Sequence, residues 1–325
     1  MKAIVCTRYG PPEVLQTDEV EKPVPKDDEV LIEICATSVT AGDCEIRRFK
    51  MPAWIWLPAR LGFGIRGPRN KILGQELAGE IESVGKDVGR FKKGDRVFAR
   101  TGFGLGAYAE YKCMPENGVI AIKPENMGYG EAACVPMGGL EALHYLSRAN
   151  ILRGQQVLIN GAGGSIGTFA VQIARSFGAE VTGVDRAEKL DMLLSIGADH
   201  VVDYTKEDFT RSGKTYDVIL DMTGKISFSG YVRSLSKKGT LLLANPSLSH
   251  MVRGAWTSRT GGIKVISGGV NEKENGLIQL RELIEAGKMR SVIDRRYPLE
   301  KMVEAHRYVD EGHKKGNVSI IVKDS

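Results

Sequence analysis

The stretch "QVLINGAGGSIGTFAVQIA", Gln156 to Ala174, limits the fold more than any other part of the chain. A short apolar run reads as a buried strand and is followed by the turn Gly161, Ala162, Gly163, Gly164, Ser165, Ile166, Gly167. Beyond it Ile166, Phe169, Ala170, Ile173, Ala174 and Phe177 recur at helical spacing and bury one stripe, and Gly178 ends the helix. So small-sided a turn lets backbone N–H groups approach a pyrophosphate at a helix N-terminus, where the dipole favours an anion. Against the pattern G-x-G-x-x-G the frame is Ala162, Gly164, Gly167, with Ala in the first place. Alone this is a weak signal. It gains from its flanking strand and helix, and from the second strand "EVTGVD", which ends in Asp185 about 20 residues on, where a carboxylate binds an adenosine ribose. The segment is read as a dinucleotide site, with Ser165 at the helix start donating toward phosphate.

A rival reading uses the same residues. Gly163-Gly164-Ser165-Ile166-Gly167 also matches G-x-S-x-G, the nucleophile elbow of α/β-hydrolases, with His250, His306 or His313 as downstream partners on paper. That reading leaves Asp185 without a purpose, and it has no need of the β-rich first half of the chain.

The two halves differ in texture. From Lys2 to Ile122 short alternating segments, "KAIVC", "EVLIEICATSV", "LAGEIESV", "DRVFA", "AYAEYK" and "VIAI", are separated by Gly, Pro and Asp-Lys turns, which predicts strands. From about Pro124 apolar runs alternate with helical patterns, the mark of a parallel sheet covered on both faces. The runs are "QVLIN", "EVTGVD", "HVVDY", "VILDM", "TLLLA" and "KVISGGV". Helices are expected over Glu274 to Ala286 and Leu299 to Val309, before a last strand, "NVSIIV", that returns to the β-rich half. The 325 residues suit about two domains, and the 39 glycines suit many tight crossovers.

Several function classes are disfavoured. The 45 basic against 40 acidic residues leave +5, spread without a stripe, so no nucleic-acid partner is expected. The longest apolar run, "MPAWIWLPARLGFGI", is broken by Pro52, Pro58 and Arg60 and is too short to span a bilayer, so no integral membrane segment is expected. The start, "MKAIVCTRYG", lacks the apolar region and cleavage site of a signal peptide, which sets the expectation of a cytoplasmic protein. Five scattered cysteines form no C-x-x-C pair and no disulfide framework.

Taken in order, "GPPEVLQ", "ILGQELAGEIESVG", "FKKGDRVFA", "GAYAEY", "AACVPMGGLEALHYL", "QVLINGAGGSIGTFAVQIA", "GADHVVDY", "YDVILDMTG" and "GHKKGNVSIIV" resemble the medium-chain dehydrogenase/reductase superfamily, in its zinc-independent quinone oxidoreductase, or zeta-crystallin-like, branch. The resemblance covers essentially the whole chain. It implies an α/β fold in which a Rossmann doubly wound parallel sheet is inserted in a GroES-like β domain. The GroES-like substrate and catalytic domain is expected at 1–123, completed by 273–325, with the dinucleotide-binding domain at 124–272 and the active site in the cleft between them. It also suggests a homodimer.

Zinc-using members of the superfamily hold the metal with a Cys, a His in "G-H-E" and a third ligand near the start of the Rossmann domain. Those positions map to Thr40, Gln75 and approximately Met137. None is a good zinc ligand, since zinc takes thiolate, imidazole or carboxylate, so no metal site is expected. The resemblance therefore implies hydride transfer to a quinone or an α,β-unsaturated carbonyl, a small lipophilic electrophile, with hydrogen-bond donors to the developing enolate oxygen in place of the metal. Thr40, Gln75 and Tyr108 are the candidates. The chain departs from the branch at Thr40, where Asn is usual, at Glu45, near which a Tyr often stands, and at Glu141, where Thr is common. Segment 51–70 is longer than in plain quinone reductases. Trp54, Trp56, Leu57, Leu61 and Phe63 wall a lipophilic pocket, rest on a membrane surface, or form a packed loop.

For the cofactor the signals conflict between NADH and NADPH. Asp185 favours NADH, because a carboxylate accepts from the ribose 2′-OH and repels a 2′-phosphate. Arg186, Lys189 and Tyr204 favour NADPH, the last two because they match positions that hold the 2′-phosphate in the branch. Asn245 and the pair Gly268-Gly269 follow later strands, where the nicotinamide half rests, and "GHKKGN" adds Asn317. The five histidines are given no catalytic role. Two alternatives stand beside this reading: an alcohol or ketone dehydrogenase on the same scaffold, and a dinucleotide-binding protein with little turnover.

Overall fold

The computed structural model describes residues 1–51, 53–268 and 274–323. The chain folds as two compact units, Met1–Met137 with Lys273–Glu285 and Ser291–Ser325, and Gly138–Glu272 with Ala286–Arg290.

In the first unit β1 (Lys2–Cys6) and β2 (Leu15–Glu19) make an antiparallel ribbon. The spine is β3 (Glu29–Ser38), which pairs antiparallel with β4 (Glu76–Val84) on one side and with β6 (Tyr111–Pro115), while β5 (Arg96–Arg100) and β7 (Ile120–Ile122) extend the sheet. Alternation along these strands turns Val30, Ile32, Ile34, Leu77, Val97 and Ile120 into one core. Gly79 is required where β4 crosses β3, because a Cβ there would sit 2.0 Å from the Glu33 carbonyl oxygen.

Among the described residues the second unit holds six parallel strands: β8 (Gln156–Asn160), β9 (Glu180–Asp185), β10 (His200–Asp203), β11 (Tyr216–Asp221), β12 (Leu235–Leu243) and β13 (Lys264–Ser267). Their order is β10-β9-β8-β11-β12-β13. The chain leaves β8 in one direction and returns beside it as β11, so the strand order reverses there and opens a crevice at the carboxyl ends of both strands. The apolar runs expected of a doubly covered parallel sheet lie at these strands, and Phe169, Ala170, Ile173 and Ala174 of the helix Ser165–Ser176 are buried.

The last part of the chain returns to the first unit. β14 (Ile293–Pro298) runs parallel to β15 (Asn317–Ile321), and β15 pairs antiparallel with β3 through Ser319 opposite Ser38, giving the order β14-β15-β3-β4-β5-β7. Between β14 and β15 a 3-10 turn, Leu299–Lys301, leads into the helix Met302–Asp310.

The structure differs from the sequence reading in two places that bear on function. "AYAEYK" does not begin as a strand: Leu105 and Gly106 take φ of 45° and 94°, and Tyr108 N–H donates to the Leu73 carbonyl at 3.0 Å, which turns the Tyr108 ring into the core before β6 starts at Tyr111. Residues Ala53–Phe63, one of whose readings was a packed loop, form a helix with Pro58 inside it. The helix Ala41–Arg48 and the strands β2 and β14 escaped the sequence reading as well. Among the described residues no helix is long and apolar enough to cross a membrane.

Candidate active site

The glycine turn of the second unit is built by steric exclusion. Gly161 leaves β8 at φ 84°, in the left-handed region. A Cβ on Gly167 would lie 2.4 Å from the Gly161 oxygen and 2.5 Å from that of Ala162, so helix and strand pack this closely only without a side chain. At Gly164, the N-cap, a Cβ would meet nothing nearer than 3.6 Å, and its open side is the approach to the helix N-terminus. The first helical hydrogen bond runs from Thr168 N–H to the Gly164 oxygen, so the positive end of the dipole falls at Gly164 and Ser165.

Asp185 ties this turn to β9. Its Oδ2 accepts from Gly163 N–H at 2.8 Å, its Oδ1 accepts from Arg186 N–H at 2.9 Å, and Lys189 Nζ stands 3.3 Å from Oδ1 in a buried ion pair. Arg186 Nε donates to the Tyr204 hydroxyl at 2.7 Å on the surface beside them. A cleft of about 560 Å³ opens here, lined by Gly161, Asp185, Tyr204, Phe209, Thr223 and Lys225 among others. At the switch point Asn160 Nδ2 donates to Asp221 Oδ1 at 2.7 Å, and Asp221 Oδ2 accepts from Gly224 N–H at 2.7 Å, which locks the ends of β8 and β11 together. Sequence reasoning did not assign these two residues. Asn160 closes one apolar run and Asp221 is the polar residue near the end of another, which was the available signal.

Of the other cofactor candidates, Ala162 is buried and Ile166 half-buried in the turn. Asn245 is exposed, with Nδ2 donating to the Met222 carbonyl at 2.8 Å. Gly268 takes φ 119°, and its carbonyl accepts from the Tyr145 hydroxyl. Gly269 lies outside the described residues. Asn317 is in the first unit, buried at the start of β15, and its Nδ2 donates to the Val292 carbonyl at 3.2 Å.

In the first unit a buried polar cluster begins at Thr40, the N-cap of the helix Ala41–Arg48. Thr40 Oγ1 accepts from Asp43 N–H at 3.1 Å while Asp43 Oδ2 accepts from Thr40 N–H at 2.9 Å, a capping box. The two side chains also meet directly, Oγ1 to Oδ2, at 2.7 Å. Gln75 Nε2 lies 3.3 Å from Asp43 Oδ1 and 3.5 Å from Thr40 Oγ1. A Cβ on Gly42 would stand 2.9 Å from Gln75 Nε2, 3.5 Å from Thr40 Oγ1 and 3.9 Å from Met137 Cε, so Thr40, Gln75 and Met137 converge on one point that glycine leaves open.

Tyr108 lies one layer deeper. It is 0% exposed, whereas Thr40 and Gln75 keep 6% and 8%, so only those two have surface to offer a ligand. Its hydroxyl is 3.2 Å from His306 Nε2, and His306 Nδ1 is 3.3 Å from Cys44 Sγ. His306 sits on a helical stripe with Met302, Ala305 and Val309, all buried. Burial, with Arg47 and Arg48 nearby, holds its pKa well below 6.5, so it is neutral. Burial pushes the Asp43 carboxyl upward against the hydrogen bonds from Thr40, Gln75 and Tyr108, and pushes the Tyr108 hydroxyl well above 10. Arg47, wholly buried, pairs with Asp310 at 2.6 Å. Asp43 and His306 were missed as site residues. T-x-x-D at 40–43 is a readable capping signature, but nothing in the sequence joins it to a histidine so far along the chain.

Glu76, beside Gln75, is 1% exposed. Its Oε1 accepts from the Ser38 hydroxyl and its Oε2 from Met137 N–H at 2.7 Å, and burial raises its pKa to about 7.

Residues 26–124 match the family profile described as alcohol dehydrogenase GroES-like domain, and 196–320 the profile described as zinc-binding dehydrogenase. The chain is 32% identical to the chloroplastic quinone-oxidoreductase homolog of Spinacia oleracea, over 98% of each chain. It is 30% identical to the chloroplastic NADPH-dependent alkenal/one oxidoreductase of Arabidopsis thaliana, over 98% of this chain and 79% of that one. The quinone oxidoreductase of Coxiella burnetii superposes with a TM-score of 0.87 at 27% identity, over 99% of each chain. Zinc, which the second profile's description names, does not fit the donors present. Thr40, Gln75 and Met137 offer a hydroxyl, an amide and a thioether, and both Glu76 oxygens are engaged. Among the described residues no group of three or more His, Cys, Asp or Glu is placed to hold a metal.

Proposed function

The chain belongs to the medium-chain dehydrogenase/reductase superfamily, in its quinone oxidoreductase branch, and from that premise we propose that it reduces a quinone or an α,β-unsaturated carbonyl at the expense of a nicotinamide dinucleotide, without a metal. The observation that carries this reading is the convergence of Thr40 and Gln75, two buried hydrogen-bonding side chains that keep 6% and 8% of their surface, at the positions to which the ligands of zinc users map.

The bound reduced nicotinamide supplies the hydride to the β-carbon or the quinone ring. The chain's own residues deal with the charge that builds up on the carbonyl oxygen. Gln75 Nε2 and Thr40 Oγ1 donate to that oxygen, an arrangement worth a few kcal/mol per donor in a site closed to water. Burial favours protonated Asp43, and Asp43 Oδ2 is close enough to pass its proton to Thr40 Oγ1 as the threonine hydroxyl gives up its own. Tyr108 and His306 support Asp43 from behind.

The helix N-terminus at Gly164 and Ser165 receives the pyrophosphate, and the cleft beside Asp185 and Tyr204 receives the adenosine half. NADPH is the proposed cofactor, with NADH accepted. The Lys189 ammonium neutralises Asp185, and Arg186 stands at the rim to meet a 2′-phosphate. A homodimer formed through β13 is the proposed assembly. β13 is a sheet edge, and the helix Leu248–Thr260 beside it exposes Leu248, Val252 and Trp256 at successive four-residue steps.

The test follows NADPH and NADH oxidation with quinones, enones and saturated aldehydes, together with elemental analysis of the protein. Turnover of quinones or enones that a chelator does not affect is expected. Stoichiometric zinc needed for activity, or cofactor binding with no turnover of any acceptor, overturns the reading.

A further inference from the structure

The helix Ala53–Phe63 has no role in the chemistry above, yet among the described residues of the first unit it carries large exposed apolar side chains. Trp56, Leu57 and Leu61 are 45%, 62% and 53% exposed, and Ile65, just beyond the helix, is 64% exposed. Leu57 and Leu61 are one turn apart and share a face. The helix is firmly held on its other side. The Arg60 guanidinium lies 4.6 Å from the ring centres of both Tyr9 and Phe49, and the Tyr9 hydroxyl donates to the Gly64 carbonyl at 3.0 Å. The outward leucines are therefore a fixed feature of the fold, and fraying does not account for them.

The stretch of chain that carries this helix is basic, with the exposed Glu45 just before it beside Lys50. From Ile46 to Gln75 the chain has seven Lys or Arg and no Asp or Glu. Arg47 and Arg48 are taken by Asp310, and Arg60 by the aromatic rings, but Lys50, Arg66, Arg69 and Lys71 are exposed on either side of the helix in sequence. A second copy of the chain docked on this face would bring like charges together. Outward leucines beside a largely basic flank match a surface that is apolar a few ångströms down and negative at the top, while Trp56 packs edge-on against Phe49 and beside Arg60.

We propose that the helix Ala53–Phe63 and the loop after it dock the protein reversibly on a bilayer containing anionic phospholipid, with Leu57, Leu61 and Ile65 entering the headgroup boundary and Lys50, Arg66, Arg69 and Lys71 on the lipid phosphates. The attachment is peripheral and lets a lipophilic acceptor dissolved in a membrane meet the enzyme there.

The test is flotation of the full-length protein with phosphatidylcholine vesicles, alone and with one-quarter phosphatidylglycerol, at low and high salt. Binding to the anionic vesicles is expected, weakened by salt. R66E/R69E lowers the partition coefficient by more than twentyfold, since each basic residue lost weakens binding roughly fivefold and the new acids add repulsion. L57S/L61S weakens it at every salt concentration, and its exposed sites leave the circular dichroism spectrum unchanged. Absence of binding, equal binding to neutral vesicles, or a loss of binding on L248S/W256S instead of L57S/L61S overturns the proposal. So does a dimer that L57S/L61S dissociates in light scattering while vesicle binding is absent. None of these readouts depends on turnover.

Discussion

The hydroxyl of Thr40 and the carboxyl of Asp43 lie 2.7 Å apart inside a capping box that also satisfies both backbone amides. A local device for starting a helix thus holds the proposed proton donor against a carboxyl that burial keeps from ionising easily. Asp43→Asn keeps the shape but cannot supply the proton, and kcat is expected to fall by about 10²–10⁴. Thr40→Ala loses the same proton and also the cap, at about 1 kcal/mol of stability. Because the Asp43 pKa is raised, the protonated form persists to higher pH and is lost as pH rises through that pKa. Wild-type kcat should fall on the alkaline side and the Asp43→Asn residual activity should not, which a kcat–pH profile checks.

The buried Glu76 titrates at about 7, above its ordinary 4.5. A carboxyl raised on folding contributes stability that is fully present below 4.5 and lost as pH rises toward 7, a change on the order of 3 kcal/mol. Glu76→Gln keeps a group for Ser38 and Met137 N–H to bond and should flatten this slope. Urea unfolding at several pH values between 4.5 and 8 measures it, and parallel slopes for variant and wild type would count against the assignment.

His306 has the opposite sign. Its pKa is depressed on folding, so the unfolded chain takes up a proton that the folded chain refuses, and stability falls as pH drops below 6.5. The wild-type imidazole resonance should not titrate between pH 5.5 and 8 in NMR. His306→Gln should lessen the acid-side loss of stability while costing about 1–3 kcal/mol at neutral pH, where the Tyr108 hydroxyl loses its partner.

The glycine turn allows its two roles to be separated. Gly167→Ala puts a Cβ 2.4 Å from a carbonyl oxygen and should destabilise the fold by about 1–3 kcal/mol. At Gly164 a Cβ has 3.6 Å of room, so Gly164→Ala should leave Tm near wild type yet weaken cofactor binding by roughly tenfold or more, through the closer approach that a pyrophosphate needs. Thermal melts and nicotinamide fluorescence titrations of both variants decide it.

Asp185→Ser should raise the kcat/KM ratio of NADPH to NADH, and Lys189→Ala should lower it, since it leaves the Asp185 carboxylate uncompensated where a 2′-phosphate arrives. An unchanged ratio in both variants removes Asp185 from the 2′ site.

Much of the architecture was legible before folding. Buried parallel strands leave continuous apolar runs, and a helix started by small residues leaves its glycines, so β8, the turn Gly161–Gly167 and Asp185 were placed from local pattern. The polar cluster around Thr40 was half legible. Thr40 and Gln75 stood out only because other residue types occupy their positions in zinc users, and Tyr108 was misjudged as a strand residue because the bend at Leu105 and Gly106 leaves no periodic trace. The helix Ala53–Phe63 was hidden by Pro58, which ordinarily argues against one.

Local sequence determined the elements and the glycine turn Gly161–Gly167, because periodicity, capping and glycine sterics act over a few residues. Only the tertiary structure decided that His306 stands behind Tyr108, that Asn317 is spent on a backbone carbonyl in the first unit, and that Asp185 is already bonded to Gly163 and Lys189. Those pairings join residues far apart in the chain or compete for the same donor. Their outcome follows from which groups are desolvated together, and no short stretch of sequence records that.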